Sequence, residues 1–148
     1  MNEAKDWRSG VIVRRAAAVT AGRAAGGGRA TIFDFAGPDS VTGIGGTRTW
    51  IGSVSVPPQS NTGPHHHGRH EVTIYVVAGR SEIRWGERLE YAAEIGPGDA
   101  VYFAPFVPHQ ERSLESDAPV EYLVVRSDNE KIAIRRDDIT PVERPDLM

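Results

Sequence analysis

Four of the chain's five histidines and a glutamate, His65, His66, His67, His70 and Glu71, fall within seven residues of the stretch GPHHHGRHEVTIYVVAG, Gly63 to Gly79. Imidazole nitrogen and carboxylate oxygen are the donors that suit Fe, Mn, Ni, Zn or Cu(II), so metal binding is the first chemistry this cluster suggests. If the stretch is one continuous strand, alternation puts His65, His67, Arg69 and Glu71 on one face and His66 and His70 on the other. Two imidazoles at i and i+2 then converge on one ion, and a further ligand has to come from elsewhere. The remaining histidine, His109, lies in GPGDAVYFAPFVPHQERS, where Pro105 and Pro108 stiffen the approach and fix where the ring projects. The chain has no cysteine, which excludes thiolate ligands and a disulfide framework. Histidine runs also occur in expression tags, but tags are terminal and this run lies mid-chain between apolar segments.

The elements that must carry these residues read as strands. Gly (16) and Pro (10) recur throughout, and the apolar segments between them are short and rich in Val, Ile and aromatic residues. Strands are expected over 11–14, 31–35, 47–56, 72–77, 80–85, 89–95, 100–103, 120–127 and 131–135, with Gly86 and Glu87 as a tight hairpin turn between two of them. No segment shows a sustained 3.6-residue stripe. The Ala-rich run 13–30 hints at a helix, but its three consecutive glycines argue for a flexible surface arm. GIGG at 43–46 lacks the helix and lysine of a phosphate loop and reads as a turn. Eight or nine short strands with turns this frequent suit a closed all-β barrel or jelly roll, which also removes exposed strand edges. At 148 residues there is room for one domain: an arm over 1–30, a barrel over 31–135 and a tail over 136–148.

Taken together, the two histidine segments resemble the paired signature of the cupin superfamily. Its first motif runs G-x5-H-x-H-x(3,4)-E-x6-G, and here His65, His67 and Glu71 are followed by Gly79; its second, G-x5-P-x-G-x2-H-x3-N, is matched in part by Gly98, Pro105 and His109. The resemblance covers about 47–126 and is closest to small bacterial single-domain members. It implies a double-stranded β-helix or jelly-roll barrel and a divalent metal ion (Fe, Mn, Ni or Zn) held by His65, His67, Glu71 and His109. Three imidazoles and one carboxylate would leave such an ion about one residual positive charge and open positions for an oxygen ligand. The sequence departs from the pattern in three places. Seven residues rather than six separate Glu71 from Gly79, so either the strand carries a bulge or the carboxylate points elsewhere, with His70 or Glu111 as the substitutes. Phe106 stands where the second motif often has Gly, and Ser113 replaces its Asn.

On strand parity with Glu71, Tyr75 could supply a proton or hydrogen bond near the ion, against the plainer reading of a tyrosine filling the barrel. Trp50, Trp85, Phe103 and Tyr122 read as packing, and no nucleophile motif is present. The formal net charge of −3, with no run of like charge, speaks against nucleic acid and anionic membranes as partners. The polar N-terminus leads into no signal-like or membrane-spanning apolar stretch, so a cytoplasmic protein is expected. The resemblance also implies a homodimer, to which Trp7 and residues 11–13 could contribute. The expected function is a metal-dependent enzyme of oxygenase or isomerase/lyase type on a small anionic or enolisable molecule; the rival is a noncatalytic module that binds a small molecule, with a structural ion or none.

Overall fold

The computed structural model describes residue 15, the backbone of 28–33, and residues 49–127 and 132–148. Eleven strands follow in chain order: β1 (Gly28–Phe33), β2 (Trp50–Val56), β3 (His65–His66), β4 (Val72–Ala78), β5 (Ser81–Trp85), β6 (Tyr91–Ile95), β7 (Ala100–Phe103), β8 (His109–Ser113), β9 (Val120–Arg126), β10 (Ile134–Arg135) and β11 (Asp146–Leu147). Among the described residues there is no helix. The strands form two sheets, ordered β1-β2-β9-β4-β7 and β10-β3-β8-β5-β6-β11. The architecture is an all-β jelly roll, as the sequence leads one to expect. The strand expected at 11–14, the GIGG turn and the arm, apart from residues 15 and 28–30, lie outside the described residues.

The core follows from period-2 patterning. Val72, Ile74 and Val76 on β4 and Val120, Tyr122 and Val124 on β9 alternate inward. They meet Ile83 and Ile95 from the opposite sheet, with Trp50 and Phe103 at the margins. Trp50 also carries the Arg126 guanidinium over its ring, 4.0 Å from the centroid. Among the described residues, every strand pairing but one is antiparallel; β11 runs parallel to β6.

Three elements differ from the sequence reading. The β5–β6 connection spans residues 86–90, not a two-residue turn, because Leu89 is drawn into the core with φ +48° while Glu90 accepts a hydrogen bond from the Arg88 amide at 2.8 Å. Residues 109–113, which carry no obvious strand pattern, form β8 in the middle of the six-stranded sheet. The segment 136–148 is stitched to the β5–β6 hairpin and to β6: the amides of Val142, Asp146 and Met148 donate to the carbonyls of Arg88, Glu90 and Ala92.

Gly79 turns the chain between β4 and β5 at φ +82°, and a Cβ there would sit 3.0 Å from the Val120 Cα and 3.2 Å from the Pro119 carbonyl oxygen. Backbone cannot yield as a flexible side chain can. Gly79→Ala is therefore expected to destabilise the fold by at least about 1 kcal/mol, read as a lower midpoint in urea unfolding.

Candidate metal centre

The His65, His67 and His109 rings meet inside the barrel mouth. Their ligand atoms lie within 4.8 Å of one another, and ring centroids are 4.4 Å apart for His65 and His109 and 5.0 Å for each other pair. His65 on β3 and His109 on β8 are direct cross-strand partners, which is why residues so far apart in sequence approach so closely. His67 follows β3, in the turn that leads to β4.

Each ring is oriented the same way. Nδ1 of His65 lies 3.0 Å from the Gly63 carbonyl oxygen, that of His67 2.8 Å from Ile132 and that of His109 3.0 Å from Val107. A carbonyl can only accept, so each Nδ1 carries the proton and each Nε2 presents a lone pair. Tying one ring nitrogen to a carbonyl is how metal-binding histidines are commonly held. His109 is completely buried, Phe103 stacks on it at 4.0 Å and 22°, and among the described residues its Nε2 has no hydrogen-bond partner. A buried lone pair left without a partner costs free energy unless something binds it, so the donor set fits a divalent ion.

Burial, and next the neighbouring His65, push the His109 imidazole down to about 3 despite the opposing Val107 carbonyl. His65 is also lowered, chiefly by burial. Both rings are thus neutral and able to ligate at neutral pH.

Glu71 is not brought into this group. Its side chain is on the outer face of β4, where its carboxylate accepts a hydrogen bond from the Tyr102 hydroxyl at 2.6 Å. The reason is a turn. The continuous strand assumed from His65 to Glu71 is broken after β3: Gly68 adopts φ +59°, and the His70 amide donates to the His67 carbonyl at 3.2 Å. That turn shifts the alternation by one residue, so His70, Val72, Ile74 and Val76 point inward while Glu71, Thr73, Tyr75 and Val77 point out. Leaving six residues before Gly79, as the family motif does, lands on Val72, which is only 4% exposed. The position where that motif carries its carboxylate is here apolar.

Tyr75 accordingly lies on the outer surface, 46% exposed, away from the histidines. His70 is buried at 2% exposure but does not join the three-histidine group, and neither does Glu111. Glu111 nevertheless faces the barrel interior, opposite Ile83 in register and two positions along β8 from His109. Nearby, the Tyr122 hydroxyl is hydrogen-bonded to Ser81, and burial, with the Glu111 carboxylate second, pushes that hydroxyl up to about 12. The interior phenol and carboxylate are Tyr122 and Glu111. Parity counted from His109 finds Glu111, but no local pattern singles out Ser81.

Phe106, at the family's glycine position, keeps the left-handed backbone with φ +63°, held by its amide bond to the Gly68 carbonyl at 2.8 Å. The same loop therefore buttresses the turn that carries His67.

Residues 52–126, just over half of the chain, match the family model for the cupin domain. The chain belongs to the cupin family. Among solved structures, this cupin is similar to a cupin 2 domain-containing protein from Halorhodospira halophila (23% identity over 76% of this chain and 71% of that one, TM-score 0.62). It is also similar to the polyketide cyclase RemF from Streptomyces resistomycificus (23%, 76% and 74%, TM-score 0.58) and to the DMSP lyase DddQ from Ruegeria pomeroyi DSS-3 (20%, 74% and 51%, TM-score 0.58). At these identities the likeness establishes the cupin fold. No curated protein matches. Among the described residues of this cupin, no helix is long and apolar enough to cross a membrane.

The turn at Gly68 offers a direct check. A Cβ there would meet the Ile132 Cγ2 at 3.2 Å, and Ile132 supplies the carbonyl that orients His67. Gly68→Ala is expected to lower metal affinity by roughly 10-fold or more, as loss of an orienting partner does, measured by competition with a chelator. Glu71→Gln, by contrast, is expected to leave metal stoichiometry unchanged in elemental analysis. A fall to near zero would return Glu71 to the ligand set.

Proposed function

We propose that this cupin binds a divalent metal through His65, His67 and His109 and acts as a metal-dependent enzyme on a small molecule bearing an anionic or enolisable oxygen function. The observation that carries this reading is the shared orientation of three rings, all tied through Nδ1 to carbonyls and converging through their other sides. That two similar structures are named as a cyclase and a lyase supports reading this scaffold as one that can carry an enzyme. A bound divalent ion would supply Lewis acidity toward the substrate oxygen, or redox chemistry if it is iron. With no carboxylate among the three ligands, the site would keep close to the ion's full charge of two, which favours an anionic oxygen more strongly than a three-histidine, one-carboxylate set would.

The chain's own residues contribute orientation and exclusion of water. The Gly63, Ile132 and Val107 carbonyls fix the rings, and Phe103 covers His109. Inside the barrel, Glu111, two positions along β8 from His109, is the group positioned to hold or move a proton, whereas Tyr75 is turned outward.

The test begins with metal analysis of freshly purified untagged protein. It continues with aerobic incubation of the Fe(II)-loaded form with small 2-oxo acids and catechols while O2 is followed. Turnover with O2 uptake indicates an oxygenase, and turnover without it an isomerase or lyase. Stoichiometric metal without turnover, together with a large loss of thermal stability in His67→Ala, would favour the noncatalytic module.

A further inference from the structure

A second feature of the barrel specifies what kind of molecule fits beside the three histidines. A cavity of about 480 Å3 opens between β5 and β6 of one sheet and β7 of the other, within the range of roughly 300–1,000 Å3 typical of sites for small organic ligands. Ile83, Trp85, Ala93, Ile95, Phe103 and Val107 form most of its wall, and no charged side chain lines it. Two of these residues also belong to the histidine site: Phe103 stacks on His109, and Trp85 is its cross-strand partner. Cavity and histidines therefore share a wall.

The geometry points to an amphipathic ligand, one whose aromatic or branched-alkyl body occupies this cavity while its oxygen-bearing head reaches the histidines. This deepens the function proposed above and rests on it for the head group. A sugar or other polyhydric molecule would leave hydroxyls unpaired against the apolar wall, each at a desolvation cost. An apolar body instead replaces water along that wall and gains contact with Phe103 and Trp85. A ligand without such a body, such as a two-carbon acid, would leave the cavity unused.

Phenylacetate and acetate share a carboxylate and differ by a phenyl ring, which makes them suitable probes. Full-length protein is loaded with Zn(II), its zinc content measured, and each probe titrated by calorimetry. Phenylacetate is expected to bind roughly 30-fold more tightly than acetate, from burial of the ring carbons. Ala93→Phe, which puts a ring into the cavity from β6, should erase that preference; Ala93→Leu should reduce it partly. The wild-type preference stands as a test even if neither variant folds. Equal affinities of the two probes at full zinc occupancy, or a preference that survives Ala93→Phe, would overturn the cavity assignment while leaving the metal reading intact. Absence of zinc with a persistent phenylacetate preference sensitive to Ala93→Phe would do the reverse, and absence of both would overturn both.

Discussion

His109→Ala is expected to reduce bound metal from one ion per chain to near zero, with an affinity loss greater than roughly 100-fold. Loss of a partner that merely orients a ligand already costs 10- to 100-fold, and here the ligand itself is removed. Of the three rings, His109 is the one fully enclosed, pinned by Phe103 on one face and by the Val107 carbonyl at Nδ1. Its removal also strips that carbonyl of a donor and leaves a gap against Phe103, so the metal-free variant should unfold with about 1–3 kcal/mol less stability than the metal-free parent. Elemental analysis reads the first effect and urea unfolding the second. Glu71→Gln serves as the comparator, since its carboxylate bonds to Tyr102 on the outer surface. A His109→Ala protein that retained stoichiometric metal would remove the basis of the proposed function.

The second large effect concerns acid. In the unfolded chain a histidine titrates near 6.5, whereas in the fold burial and then His65 hold His109 near 3, and His65 is itself lowered. Between those pH values the unfolded chain binds a proton that folded His109 does not, so stability rises with pH across the interval. The contribution is fully present above about 6.5 and is lost as pH falls from there toward 3. For His109 alone the loss amounts to roughly 5 kcal/mol over the whole interval, at 1.36 kcal/mol per unit. Urea unfolding of chelator-treated protein at pH 7, 6 and 5 should show this slope, and His109→Gln should flatten it. A midpoint that stays level between pH 7 and 5 in the parent would contradict the burial argument. Metal should in turn persist to lower pH than an exposed imidazole would allow, because few protons compete for His109.

The β class and the three histidines that meet were legible in the sequence. Alternation, turn residues and a short supply of histidines are local facts. With five histidines and no cysteine, the donors available to an ion were few from the start. The seven-residue spacing from Glu71 to Gly79 even marked the place where the pattern would fail.

Which way that failure went was decided only by the tertiary structure. Strand parity is a rule of continuous strands, and one extra turn residue exchanges the two faces. The turn at His67–His70 depends on Gly68 and on an amide from Phe106, supplied by a distant loop. Hence Glu71 and Tyr75 went outward and His70 and Val72 inward. Strand β8 likewise gains its conformation from pairing with β3 and β5 rather than from its own polar residues. The carbonyl that orients His67 arrives from Ile132, next to β10, and the apolar cavity exists only because residues of β5, β6 and β7 are brought together from two sheets. Composition and local pattern fix which groups are available and which faces are apolar, but long-range pairing sets the register, and register determines which of those groups share an interior.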